Sequence, residues 1–296
     1  MMATTVHAQL AERIGVSTIC MPGDSMPEAL ERALDEGFRS VDLIPHHCDR
    51  NLGWPDTVPP IGIDLDEITP TEIDRVIGIV QRFPYYNIHG PATDINLASH
   101  NRGITRETRR QYHQVFQFAV DCGAASVTFH PGMPPEPSQP GEHRHATERN
   151  IEFGKELADL AEKHDLDTGY ENLGLYPDPD QMQQIIDAVG SDRLGLHFDV
   201  GHVWLDPVKD PMVWLRQLGR HLVAVHMHGA FHRPDRGFVN HQTLEQDGCT
   251  DLRAVMRALD DLDYDRGINL ELHAPDLGTY FEFCRRSRDI LIRAAT

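Results

Sequence analysis

The chain has 296 residues, of which 40% are hydrophobic and 25% charged, and it carries a formal net charge of −19; it is long for an average domain and ordinary for an α/β barrel of soluble globular composition. A protein that grips a polyanion gains affinity by setting Lys and Arg against phosphates, and here only Lys155, Lys163 and Lys209 accompany the arginines, so nucleic acid is disfavoured as a partner. No stretch reaches the eighteen or so apolar residues of a membrane helix, and the first residues have neither a secretory core nor the acid-poor make-up of a transit peptide, so the expected setting is the cytoplasm with no membrane attachment.

Apolar runs alternate with helical patterns along the chain. The first run, Arg13–Ile19, precedes Pro27–Glu36, where Met26, Ala29, Leu30 and Ala33 fall at helical spacing. The second, Arg39–Ile44, leads into a proline-rich loop, His46–Pro70, expected to fold over one end of the domain before a helix at Thr71–Phe83. Six further runs follow: Tyr86–His89, Ser126–His130, Asp167–Glu171, Leu194–Asp199, Leu222–His228 and Gly267–Glu271. Each is followed by a helical pattern, in order Thr105–Cys122, Ala146–His164, Pro179–Ala188, Pro211–Leu218, Leu252–Leu262 and Thr279–Ala294. Thr105-Arg106-Glu107 and Asp178-Pro179-Asp180 read as helix starts. The basic stretches Arg106–Arg110 and Arg285–Arg288 read as solvated helix faces.

Strand–helix alternation repeated eight times predicts a parallel sheet in its closed form, a single (β/α)8 TIM barrel over residues 1–296 with its core at about 14–292. The open doubly wound alternative lacks a G-x-G-x-x-G after an early strand. Cys20, Cys48, Cys122, Cys249 and Cys284 are scattered, with no C-x-x-C pair, and form neither a disulfide framework nor a thiolate zinc site. Cys20 and Cys48 fall near strand ends, where a small buried residue is the plainer reading.

The six later runs share one feature: each closes on an acid or an imidazole. These residues are His89, His130, Glu171, Asp199, His228 and Glu271, separated by 28 to 43 positions. A parallel barrel gathers the C-terminal ends of its strands around one mouth, where active sites form, so the six should converge. Oxygen and imidazole donors together suit Mn, Co, Zn or Fe better than Ca. Glu171 and Glu271 can act as cation ligands and as an acid–base pair, although either alone is as readily a helix cap or an Arg partner. His202 follows Asp199 by three residues on a turn. Of His226 and His228, the second is expected to face the axis and the first to pack outward; His241 is expected in a loop beyond. With 18 histidines in the chain, convergence at strand ends carries the argument, and histidine abundance does not. His143, His145, His164 and His221 read as solvent-facing.

His89-Gly90-Pro91 with Ile95-Asn96-Leu97-Ala98, Phe129-His130-Pro131-Gly132, Glu171-Asn172-Leu173, Asp199-Val200-Gly201-His202, His228 and Glu271 together resemble the xylose-isomerase-like barrel superfamily. That superfamily includes sugar isomerases and epimerases and the endonuclease IV type of DNA-repair enzyme, and the resemblance runs from about Ile14 to Ile292. In the epimerase branch it implies one divalent metal ion (Mn, Co, Mg or Zn) on Glu171, Asp199, His228 and Glu271. Glu171 and Glu271 then also move the substrate proton, and His202 binds a substrate oxygen. In the endonuclease branch it implies three zinc ions, with His89, His130, His202 and His241 as further ligands. There the sequence departs from the pattern: Val239 stands two positions before His241 where an aspartate is expected, with Asp235 as the substitute.

The leading expectation is a metal-dependent isomerase or epimerase of a small sugar-like carbonyl compound, with Trp54, Tyr176 and Trp204 as pocket or core residues. The alternatives are a zinc phosphodiester hydrolase, a lyase or dehydratase using the same enolate chemistry, and a catalytically silent barrel. Homo-oligomerisation is left open by the sequence.

Overall fold

A period-two pattern builds the barrel. The strands are β1 (Ile14–Ser17), β2 (Ser40–Leu43), β3 (Tyr85–His89), β4 (Ser126–Phe129), β5 (Asp167–Glu171), β6 (Leu194–Asp199), β7 (Leu222–Met227), β8 (Gly229–Arg233), β9 (Gly237–Gln242) and β10 (Ile268–Leu270). All but β8 and β9 pair in parallel and close on themselves in the order β1-β10-β7-β6-β5-β4-β3-β2, the expected (β/α)8 TIM barrel. The computed structural model describes residues 12–23, 25–45, 62–139, 141–174, 176–206, 208–235 and 237–295. Trp54, Cys48 and most of the loop expected over the mouth fall outside the described residues.

Within each barrel strand the residues alternate between two surroundings. Val16, Val41, Ile88, Val127, Phe198, Val225 and Leu270 are buried in the apolar layer beneath the helices. The residues between them are polar and just as buried, among them Asp42, Asn87, Thr128, His197, His226 and Asn269. They bond across the interior from strand to strand: Ser40 Oγ donates to Asn269 Oδ1 at 2.8 Å, and Thr128 Oγ1 meets His197 Nδ1 at 3.0 Å. Barrel interiors of this type are more often filled with bulky branched apolar chains. This one is lined with groups that each need a partner.

The helices are α1 (Met26–Asp35), α2 (Pro70–Val80), α3 (Arg102–Cys122), α4 (Glu142–His164), α5 (Pro179–Val189), α6 (Pro211–Leu218), α7 (Leu252–Asp261) and α8 (Leu277–Ala294). Asp178 caps α5 in a reciprocal box with Gln181, in agreement with the sequence. The start expected at Thr105 is a correction. Asn101 caps α3 by accepting the Gly103 N–H at 2.8 Å, and Thr105 lies inside the first turns, its hydroxyl donating to Ser99 O at 2.9 Å. A short polar residue competes for backbone partners at either place, so two candidate caps four positions apart look alike in sequence.

The antiparallel pair β8–β9 was not anticipated, because the sequence between the two strands carries no two-residue Asn-Gly or Asp-Gly hairpin signal. It places His241 on a strand with φ 54°, not in the loop expected for it.

Candidate metal centre at the barrel mouth

Strand register sets the site. Glu171 pairs with His197 and Asp199 with His226 along neighbouring strands, while the Glu271 N–H bonds to Met227 O at 3.2 Å. One ligand atom from each of Glu171, Asp199, His226 and Glu271 lies within 4.8 Å of the others, all four side chains being buried. The group therefore brings together three of the four metal positions expected from sequence, with His226 as its imidazole. His226 packing outward is a correction with a simple cause: residues two apart on a strand share a face, so His226 and His228 both point to the axis. His226 Nδ1 lies 2.8 Å from Glu271 Oε2, 3.5 Å from Glu171 Oε1 and 3.8 Å from Asp199 Oδ2.

His228 touches the same cluster differently. Its Nδ1 accepts the His241 backbone N–H at 3.0 Å and also lies 3.3 Å from Gly229 O, while its Nε2 lies 3.0 Å from Asp199 Oδ1. The His228 ring therefore sits against Asp199. Gly201 makes room for it, since a Cβ there would sit 1.9 Å from His228 Cε1.

The remaining predicted residues surround this core. His89 donates Nδ1–H to Gly90 O at 2.8 Å, and its Nε2 lies 2.8 Å from Glu171 Oε2. His130 Nε2 approaches the same oxygen at 2.9 Å. His202 donates from Nδ1 to Asn172 O at 3.0 Å, and its backbone N–H bonds Asp199 Oδ1 at 2.7 Å. His241 Nδ1 is 3.2 Å from Glu271 Oε1, and Cys20 Sγ reaches that oxygen at 3.8 Å. All six strand-end residues therefore meet at one mouth. Asp235 does not: it pairs with Arg233 at 3.0 Å on the exposed β8–β9 turn, which is a correction to its place as a substitute ligand. Tyr176 is a packing residue whose hydroxyl meets Thr147 Oγ1 at 2.9 Å, and Trp204 donates from Nε1 to Thr250 Oγ1 at 2.9 Å.

Burial alone would raise the pKa of every carboxylate here, and the surrounding imidazoles outweigh it. Glu171 is held well below its ordinary value by His197, His130, His226 and His89. Glu271 is brought down to about 2 by His241 and His226, and Asp199 is lowered by His202 and His228. Burial depresses His197 and His241 to about 3, leaving both neutral. For His89 and His226 burial also acts downward, but Glu171 carries the first upward, and Asp42 with Glu271 carries the second well upward.

A cation fits this donor set. Asp199 Oδ2, Glu271 Oε2, His226 Nδ1, His228 Nε2 and His241 Nδ1 are buried without a well-formed hydrogen bond. Each such orphan costs about 1–3 kcal/mol, and the three on Asp199, Glu271 and His226 belong to the one four-residue group that includes Glu171. Without a cation, protons on His226 and His89 compensate the negative charge; a cation in the four-residue group would displace the proton on His226 Nδ1. His89, His130 and Glu171 form a second donor group, and His202, His228 and His241 a third. In the third, His228 Nε2 also lies 3.0 Å from Asp199 Oδ1.

The sequence profile of the xylose isomerase-like TIM barrel family matches residues 30–289. The chain belongs to that family. An uncharacterised protein of Methanocaldococcus jannaschii is 20% identical over 268 residues, covering 88% of this chain and 83% of its own. A D-tagatose 3-epimerase-like protein superposes with a TM-score of 0.72 at 19% identity, covering 96% of this chain and 100% of that one. A xylose isomerase domain protein from Planctomyces limnophilus does so with 0.73 at 17%, covering 95% and 96%. These solved structures share the fold with this chain.

His197 and Asp42 were not singled out in the sequence, where attention fell on the last residue of each run, and His226 was placed on the wrong face. The signal was present: stepping back two positions from each run's terminal residue gives Asn87, Thr128, Gly169, His197, His226 and Asn269, which are the next layer of the inner face.

Proposed function

We propose that the chain is a divalent-cation-dependent isomerase or epimerase acting on a small polyhydroxylated carbonyl compound. The observation that carries this reading is the group Glu171, Asp199, His226 and Glu271, two glutamates and an aspartate ionised beside an imidazole. The D-tagatose 3-epimerase-like neighbour supports the choice of sugar chemistry. In this proposal Glu171, Asp199, His226 and Glu271 hold the cation, His226 taking the place that the sequence gave to His228. The bound cation supplies Lewis-acid polarisation of the substrate carbonyl, worth several kcal/mol of charge stabilisation.

The protein's own groups do the rest. Glu171 and Glu271, both ionised, take the proton from one face of the substrate carbon and return it on the other, a contribution of ~10²–10⁴-fold. His89 and His130 fix Glu171 through its Oε2, leaving Oε1 to act. His202 offers its Nε2 edge to a substrate oxygen while Asn172 O holds its Nδ1.

The test is solvent exchange. The Mn- or Co-loaded protein, incubated in D2O with a panel of ketoses and aldoses, is expected to label a substrate at carbon, and Glu171→Gln and Glu271→Gln are expected to stop it. Absence of label from every sugar, with the cation bound, would refute the isomerase reading.

One observation favours a second reading. The His89, His130 and Glu171 group has the composition of an additional cation site, as a phosphodiester hydrolase of the DNA-repair kind would need. Val239 and the Arg233–Asp235 pair oppose it, so it stands behind the first. Cleavage of an abasic-site duplex by zinc-loaded protein would reverse that order.

A further inference from the structure

We propose that Asp42 is the positioning residue of the cation site, taking the Nε2 proton of His226 and so turning the Nδ1 lone pair toward Glu171, Asp199 and Glu271. The inference rests on the cation reading above. Asp42 is fully buried on β2, and no Lys or Arg pairs with it among the described residues. A buried carboxylate without a fixed cationic partner is costly, and apolar packing has no need of one.

Both of its oxygens are committed. Oδ1 accepts from Asn87 Nδ2; Oδ2 lies 3.0 Å from His226 Nε2 and accepts from Ser17 Oγ at 3.3 Å. Asn87 is held this way round by Asp42 itself, since turning it over would set its Oδ1 against Asp42 Oδ1. Ser126 Oγ donates to its Oδ1 at 2.7 Å, and its Nδ2 also donates to Thr128 Oγ1 at 2.9 Å. An ionised carboxylate has no proton to give, so the hydrogen bond to His226 runs one way: Nε2–H donates. In the neutral ring the lone pair then stands on Nδ1, the nitrogen 2.8 Å from Glu271 Oε2. The opposite tautomer would turn an N–H toward the carboxylates and offer a cation nothing. A carboxylate behind a ligating imidazole fixes tautomer and ring orientation together, and its loss commonly costs ~10–100-fold in metal affinity.

The substitution that separates this role from mere packing is Asp42→Asn, which keeps size and shape. With Asn87 in its present orientation, an amide here either sets its NH2 against the Asn87 NH2 or turns it toward His226 Nε2 and drives the ring proton to Nδ1. Exchanging the pair, Asp42→Asn with Asn87→Asp, restores a donor facing an acceptor and again presents a carbonyl oxygen to Nε2–H. Co(II) affinity of the full chain, read from the visible absorption of the bound ion, is expected to fall ~10–100-fold in Asp42→Asn and to recover most of that loss in the exchanged pair. Unchanged affinity in folded Asp42→Asn, or an exchanged pair no tighter than the single variant, would overturn the inference while leaving the cation reading intact. Failure of the wild-type chain to bind Co(II) at all would overturn both.

A second readout covers variants that unfold. In the Zn-loaded wild-type protein with 15N-labelled histidine, the His226 resonances, assigned by their loss in His226→Gln, are expected to show a protonated Nε2 and a metal-bound Nδ1. A metal-bound Nε2 would rule the role out.

Discussion

At the scale of single residues, the account turns on which groups carry charge and which carry protons. Glu171→Gln and Glu271→Gln keep the volume and one ligand oxygen but can neither accept a proton nor supply full charge. Each is expected to lower turnover at least ~10²-fold with an unchanged circular-dichroism melt; near-normal rates with cation bound would show that the acid–base assignment is wrong. Gly201→Ala tests the packing behind the site. Its Cβ would meet the His228 ring at 1.9 Å, so the ring must leave Asp199, an overpacking effect of about 1–3 kcal/mol expected as a lower melting temperature, and an unaltered melt would contradict it. The strand-end residues were legible because a barrel strand closes on the group that its mouth uses. His226 was lost where the period was misread, and Asp42 and His197 because nothing in an apolar run marks its inner-face positions except a step of two.

At the scale of elements, the strand–helix order and the apolar face of α1 (Met26, Ala29, Leu30 and Ala33, all buried) follow directly from spacing. The β8–β9 hairpin does not, because its pairing depends on Phe231 meeting Val239 across a turn that sequence leaves ambiguous. The contact joining the first and last helices gives a prediction here. Glu36, at the end of α1, bonds Arg32 Nε at 2.8 Å and also pairs with Arg285 of α8. Burial raises its pKa, and the hydrogen bonds and charges of Arg285 and Arg32 together outweigh that, leaving it below the ordinary value. A carboxylate lowered on folding contributes stability above its unfolded pKa and loses it as pH falls through the folded one. The arginines are largely exposed, so the contribution is small, about 0.2–1 kcal/mol. Glu36→Gln is expected to lower the melting temperature slightly at neutral pH and to match wild type in strong acid. An equal deficit at both pH values would contradict the pairing.

At the scale of the whole molecule, a net charge of −19 leaves little cationic surface to release counterions from a nucleic-acid backbone. Binding to duplex DNA, followed by fluorescence anisotropy at physiological salt, is expected to be weak and indifferent to an abasic site; tight site-selective binding would point to the hydrolase reading instead. The barrel was legible at this scale because eight alternations leave few other closed forms. The number of cations was not legible, since His89 and His130 serve equally as ligands of a further ion or as supports for Glu171. Elemental analysis of Mn-saturated, desalted protein tests the central claim most directly. The account predicts close to one cation per chain in wild type and in His228→Gln, and loss of that cation in His226→Gln. Nearly three cations in wild type, or retention in His226→Gln with loss in His228→Gln, would contradict it.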